Sequence, residues 1–367
     1  MKNLLFLLTF LSACSTKPSP KNIIFVGTYT QNLGFVDGKA SGIYACSFDD
    51  EKGTLTVLDS TIGINNPSFL TISPDKKYVY AIGENAAKGD KPYGEAVAYK
   101  ITEGYKLLKI NQLPSYGAHP CHISTDKTGK FVFLANYSSG SVTSYGVNDD
   151  GSLKDSSCTR LHEGEKPNAH QIFTTPDNKT VFAVDKGADK VFNYSLGEKG
   201  ELTLKNKVST AVGAGPRHAD FNPKNPSQFA LINELNSTIT TYNFDDKTLK
   251  VNALDSLSTL PTDFKSDNTT AEIFYHPNGK FLYGSNRGHN SIAIFKVDEK
   301  GKLTLVSHIS TEGSKPRSFM ITPDGKWLLA ANQDSNNVAI FQINGETGLL
   351  TLKNVSRVLT PVCLKMM

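Results

Sequence analysis

The sequence lacks the usual means of holding a metal or stapling a small domain. Its 5 cysteines include no CxxC pair, which speaks against a zinc knuckle. Cys46, Cys121, Cys158 and Cys363 lie far apart inside strand-like patterns and read as buried thiols rather than a disulfide framework. Beyond the N-terminus no apolar run approaches the length of a membrane span. Charge of one sign is also missing: 39 Lys and Arg face 35 Asp and Glu, a formal net charge of +4, which is too mild to suggest a nucleic-acid binder. What is plentiful is 29 glycines, 14 tyrosines and 20 phenylalanines in 367 residues, a composition that favours turns and strands over helices.

The first residues stand apart. "MKNLLFLLTFLSAC" combines a basic start, a short apolar run and a small-residue end, the pattern of an export signal rather than a spanning helix. Leu11-Ser12-Ala13-Cys14 resembles a bacterial lipobox, so residues 1–13 are expected to be a leader, Cys14 a lipidation site and 14–20 a tether. On this reading the protein is exported and touches a bacterial membrane only through that lipid, at the periplasm or the cell surface.

Residues 21–367 are organised by a repeat. "SPDKKYVYAI", "DKTGKFVFLA", "TPDNKTVFAV", "NPKNPSQFAL", "HPNGKFLYGS" and "TPDGKWLLAA" place equivalent turn positions at 74, 127, 176, 223, 277 and 323. Pro presets one turn position and Gly or Asn accepts the left-handed one. Each turn lies between two apolar strands, and an aromatic-rich third strand and a Leu-led fourth strand follow. Four short strands every 46–54 residues predict an all-β fold, a β-propeller of four-stranded blades. Second and third strands can each be found seven times, but first strands only six times before the end. The missing one is expected in "TPVCLKMM", so that the C-terminal strand closes the N-terminal blade of a seven-bladed ring. Two insertions, 85–95 and 258–270, are expected to emerge near one face.

The register then selects residues. First-strand heads and second-strand tails meet at one mouth of the central channel. Six residues before each turn position stand Ser68, Cys121, His170, Arg217, Ala271 and Arg317, and one residue later Phe69, His122, Gln171, His218, Glu272 and Ser318. The second-strand tails repeat an Asx residue at Asn136, Asp185, Asn233, Asn286 and Asn332, as expected for side chains that close turns onto the backbone. The next residue varies: Glu84, Tyr137, Lys186, Glu234, Arg287, Gln333. Variation at a fixed slot is what a site grafted onto a repeat would show. His170, Arg217, His218, Glu234 and Arg287 come from consecutive blades and are expected to converge.

The chain resembles the seven-bladed propeller lactonases, the group with propeller-type 6-phosphogluconolactonase and carboxy-muconate lactonising enzymes. The resemblance rests on "FVGTYT", "HPCHISTDKTGKFVFLANYSSGSV", "PNAHQI", "GPRHADFNP", "NELNSTI", "SNRGHNSIAIF" and "KPRSFMITPDGKWLLAANQDSNNVAIF", which together run through most of residues 23–363. It implies a catalytic set of His170, Arg217, Glu234 and Arg287, with His122, His218, His289 and Arg317 as further substrate contacts. It implies hydrolysis of a small, acidic lactone without cofactor or metal. His170 or Glu234 would activate water, and arginines would hold the oxyanion or the acidic group. A lactonising cycloisomerase and a non-catalytic propeller binding a glycan or protein remain alternatives. The export signal sits poorly with a cytosolic phosphosugar lactone and suits a periplasmic or surface lactone better.

Overall fold

A computed structural model describes residues 22–85 and 94–367. The expected leader (1–13), Cys14, the tether (14–20) and most of the 85–95 insertion lie outside the described residues.

Seven antiparallel four-stranded sheets form the ring. Blade 1 is completed by the C-terminal strand Pro361–Met366, which pairs with the N-terminal strand Ile23–Thr28 so that Val26 faces Leu364 and Ile24 faces Met366. The predicted closure is therefore present, and it leaves this sheet no frayed inner edge. Blades 2 to 7 follow in chain order, each running from inner to outer strand.

Burial along a blade follows from the architecture. The second strand of blade 4, Thr180–Asp185, is buried at all six positions, because neighbouring blades cover both its faces. The outer strand of the same blade, Leu202–Ser209, alternates towards solvent. Between strands one and two the turns take the left-handed conformation at Gly129, Gly279 and Gly325, and at Asn178 and Lys76 in their blades, as the repeat predicted.

The recurring Asx residues act as buried clips. Asn136, Asn286 and Asn332 donate to the carbonyls of Ser115, Thr259 and Thr311 at 3.1, 2.8 and 2.7 Å. Asp185 accepts from the Asn168 amide at 2.7 Å and lies 2.7 Å from His162 Nδ1. Each clip ties a second-strand tail to the segment arriving from the preceding blade. All four cysteines in the described residues are free thiols.

Most mouth connections between second and third strands are four residues long, as at 137–140, 186–189, 234–237, 287–290 and 333–336. Blade 2 departs through 84–94, and the 259–269 connection between blades 5 and 6 is also extended. A third long connection, 29–42 in blade 1, was not predicted. The repeat was measured from the turn at 74 onward and gave no spacing for the first blade.

Candidate active site at the channel mouth

The mouth is built from two rings of side chains, and a backbone device aims the inner one. Where the inner strand begins in six of the seven blades, its pairing with the second strand is irregular and skips a residue. The skipped residue is Cys121 between Pro120 and His122, His170 between Ala169 and Gln171, Arg217 between Pro216 and His218, and Arg317 between Pro316 and Ser318. Val362 holds the same place in blade 1, and the irregularity in blade 6 spans Ala271 and Glu272. A bulge of this kind takes one side chain out of the sheet alternation and re-aims it. The residue after the bulge has another role, reaching towards the next blade. Gln171 Oε1 accepts from the Ala219 amide at 2.7 Å, and His218 Nδ1 sits 2.6 Å from Glu272 Oε1.

The outer ring comes from the second-strand tails. Glu84, Tyr137, Lys186, Glu234 and Arg287 line one cavity of about 270 Å³ together with His170, Cys121 and Arg317 from the inner ring. Gln333 lines an adjoining cavity. Tyr29 is the blade 1 member of this ring; Thr28 precedes it in place of an Asx, which hid it from the pattern.

Glu234 is the electrostatic centre. Its Oε1 lies 2.9 Å from Lys186 Nζ, and its Oε2 lies 3.0 Å from Arg217 Nε and 2.9 Å from Arg287 Nη2. Burial alone would push this carboxyl up, but Arg287, Arg217 and Lys186 outweigh it and hold it at about 2. The guanidiniums are themselves anchored. Arg217 Nη1 donates to the Ala271 carbonyl at 2.6 Å, and Arg287 Nη2 to the Thr270 carbonyl at 2.9 Å. Burial lowers both, Arg287 to about 10, which still leaves them charged at neutral pH. Arg217 is only 3% exposed and sits at the base of the mouth, where it lines a narrow space beneath the main cavity.

His170 is nearly enclosed, with Tyr137 edge-on at 5.8 Å and His218 at 5.0 Å between ring centroids. Its Nδ1 is buried without a hydrogen-bond partner. Burial first, and then Arg217, His218, Arg317 and Lys186, push its pKa well below the usual imidazole value, so the ring is neutral at physiological pH.

On the far side of the mouth, Glu84 Oε2 accepts from Tyr29 Oη at 2.8 Å and from Ser68 Oγ. The Arg317 guanidinium rests over the Tyr29 ring, 5.5 Å from its centroid. Among the described residues no carboxylate pairs with Arg317.

The structure thus brings His170, Glu234, Arg287 and Arg317 to one cavity, with Arg217 directly below. It does not place the other three there. His122 and His218 lie deeper in the channel, His122 tilted against Phe69 and edge-on to His218, and His218 is occupied by Glu272. His289 lies away from the cavity; its Nδ1 is 2.7 Å from Ser291 Oγ and its ring packs edge-on against Phe264. These three are outside the first cavity because the bulge turns the preceding side chain to the mouth, so that His218 lines only the narrow space beneath, and because His289 belongs to a surface hairpin. Conversely, Lys186, Glu84 and Tyr137 occupy the variable slot that the register identified but were not among the residues singled out. Among the described residues no group of three or more His, Cys, Asp or Glu is placed to hold a metal ion.

Comparison with known proteins agrees with this architecture. The profile of the family "Lactonase, 7-bladed beta-propeller" matches residues 23–366. The chain is 35% identical over 355 residues to a 6-phosphogluconolactonase of Bacillus subtilis, covering 94% of this chain and 98% of the relative. A solved Lactobacillus plantarum protein superposes with a TM-score of 0.87 at 30% identity, over 94% of this chain and 99% of its own. The periplasmic gluconolactonase PpgL of Pseudomonas aeruginosa superposes with a TM-score of 0.86 at 29% identity, also over 94% and 99%. A closed ring of seven blades with a cationic mouth, matched along almost its whole length, makes this chain a member of the seven-bladed β-propeller lactonase family.

Proposed function

We propose that the protein hydrolyses the ester of a small acidic sugar lactone at the channel mouth. The observation that carries this reading is a neutral imidazole, His170, whose Nδ1 has no hydrogen-bond partner, in the same cavity as two guanidiniums, Arg287 and Arg317. Ester hydrolysis needs a base that is unprotonated at working pH and donors waiting where negative charge develops. His170 takes a proton from water as its oxygen bonds to the lactone carbonyl carbon. The tetrahedral oxyanion forms against Arg287. The ring C–O bond then breaks, and the departing alkoxide recovers the proton from the His170 imidazolium, leaving an open hydroxy acid. Glu234 is a poor base, since three cations hold its carboxyl at about 2; it positions Lys186, Arg217 and Arg287. Arg317, with no carboxylate in ion-pair contact, takes the acidic group of the substrate.

The test is acid release from glucono-1,5-lactone and 6-phosphoglucono-1,5-lactone, with and without chelator. We expect turnover indifferent to chelator, lowered roughly 10²–10⁴-fold in His170→Asn. The acid limb of kcat/KM reports the free enzyme's base, and a depressed His170 places its inflection below 6.5. An inflection at or above 6.5 would remove His170 from this role, and isomerisation without hydrolysis would favour cycloisomerase chemistry.

We also infer export with lipid attachment at Cys14, from the leader pattern of residues 1–13. Labelling with a fatty-acid probe in the native host should mark the wild type and spare Cys14→Ser.

A further inference from the structure

The mouth continues past the first cavity. A second, of about 290 Å³, adjoins it, and Phe35, Arg287 and Arg317 line both. Two of the long connections build it. Phe35 is carried on 29–42, and Asp267 and Thr269 come from 259–269. The four-residue loops elsewhere on this face are too short to raise such a wall. Each cavity alone falls short of the roughly 300 Å³ at which ordinary ligand pockets begin, and only the two together reach that range.

The lining narrows the occupant. Phe35 is 54% exposed and is the one aromatic among the large exposed apolar side chains of the described residues. It is held in place: Tyr29 meets its ring edge-on at 5.9 Å, the Leu33 amide donates to the Val36 carbonyl at 2.9 Å, and Asn32 pairs with Asp37 at the base of the loop. An exposed, fixed ring offers an apolar face to a flat partner and nothing to an anion, because its π-face is itself negative. Of the three cations here, Lys315 is paired with Asp334 at 2.8 Å and Arg287 with Glu234 at 2.9 Å, the third, Arg317, is assigned to the acidic group in the first cavity, and Asp267 adds a carboxylate to the wall. A second phosphate finds little here, whereas a sugar ring finds an aromatic platform with polar groups around it.

We propose that the second cavity is a subsite for a glycosyl residue, so that the preferred substrate is a two-ring lactone, one with an acidic group for Arg317 and a second sugar for which Phe35 is the platform. This rests on the lactonase reading of the first cavity and adds the substrate class.

The experiment compares kcat/KM for 4-O-glucosyl-glucono-1,5-lactones (α- and β-linked), glucono-1,5-lactone and 6-phosphoglucono-1,5-lactone on the full chain. We expect one glycosylated lactone to exceed glucono-1,5-lactone by roughly tenfold or more. Asp267→Trp, at an exposed rim position of the second cavity only, should erase that preference while leaving glucono-1,5-lactone within about twofold. Phe35→Ala should lower the preference by roughly tenfold. Hydrolysis of glucono-1,5-lactone without preference for either glycosylated form overturns the subsite and leaves the lactonase reading standing. If no lactone is turned over, the lactonase reading falls. The subsite is then decided by calorimetry, where 4-O-glucosylgluconate must bind roughly tenfold tighter than gluconate or the proposal fails.

Discussion

Two carboxylates face each other across the mouth, and they live in opposite surroundings. Glu234 is held by Lys186, Arg217 and Arg287 at 2.9–3.0 Å. Glu84 is held by hydroxyls, from Tyr29 and Ser68, and the cation nearest that side, Arg317, rests on an aromatic ring instead. One half of the mouth is therefore electrostatically complete before anything binds. The other keeps a charge in reserve. A site for an anionic ligand needs both: a finished network fixes geometry without reorganisation, and an unspent guanidinium gives the ligand a reason to stay.

The largest effect expected from breaking this contrast is on stability. Glu234→Gln leaves three cations gathered in a buried space with no counter-charge, and should cost about 3–5 kcal/mol in urea unfolding. A loss under about 1 kcal/mol would mean that solvent screens the network. Arg317→Met should do the reverse. Stability should stay within about 1 kcal/mol, while KM for an acidic lactone rises roughly 10–100-fold, the worth of a hydrogen bond to a charged group. Equal effects on acidic and neutral lactones would show that Arg317 does not read the acid. Glu84→Gln removes charge but keeps an acceptor for Tyr29 and Ser68, and about 1 kcal/mol is expected.

A further signature is in acid. The Glu234 carboxyl has a folded pKa of about 2 against an ordinary 4.5. A depressed carboxyl contributes stability that is fully present above 4.5 and is lost as pH falls towards 2. Wild type should therefore lose stability across that window more steeply than Glu234→Gln. Parallel slopes would assign the acid sensitivity to other groups.

Much of this was legible in the sequence. The Pro-Asp-Gly turns repeat because each must place a left-handed residue between two strands, so the blade count and the closing role of Pro361–Met366 could be read directly. The slots of His170, Arg217, Glu234, Arg287 and Arg317 were also legible, since a fixed spacing from each turn fixes height in the channel. Direction was not. His122 and His218 sit one residue from mouth positions, and only the bulge decides that they reach the next blade and not the substrate side. Three-way pairing at Glu234 was equally hidden, because Lys186 arrives from one blade earlier and Arg287 from one blade later. Phe35 lay beyond the repeat, on a connection in the one blade that precedes the first of the six spaced turns.

The strand-head bulge has a consequence of its own. It separates a side chain's address from its chemistry. Ser68, Cys121, Ala271 and Val362 stand at positions equivalent to His170 and Arg217 yet carry no charge, and the blades behind them keep the same four strands. The ring therefore behaves as seven interchangeable sockets around one axis, four of them uncharged. Chemistry in such a fold can migrate around the axis by single substitutions, with no change to any blade's core, and a histidine installed at 271 would look into the same channel from two blades further on.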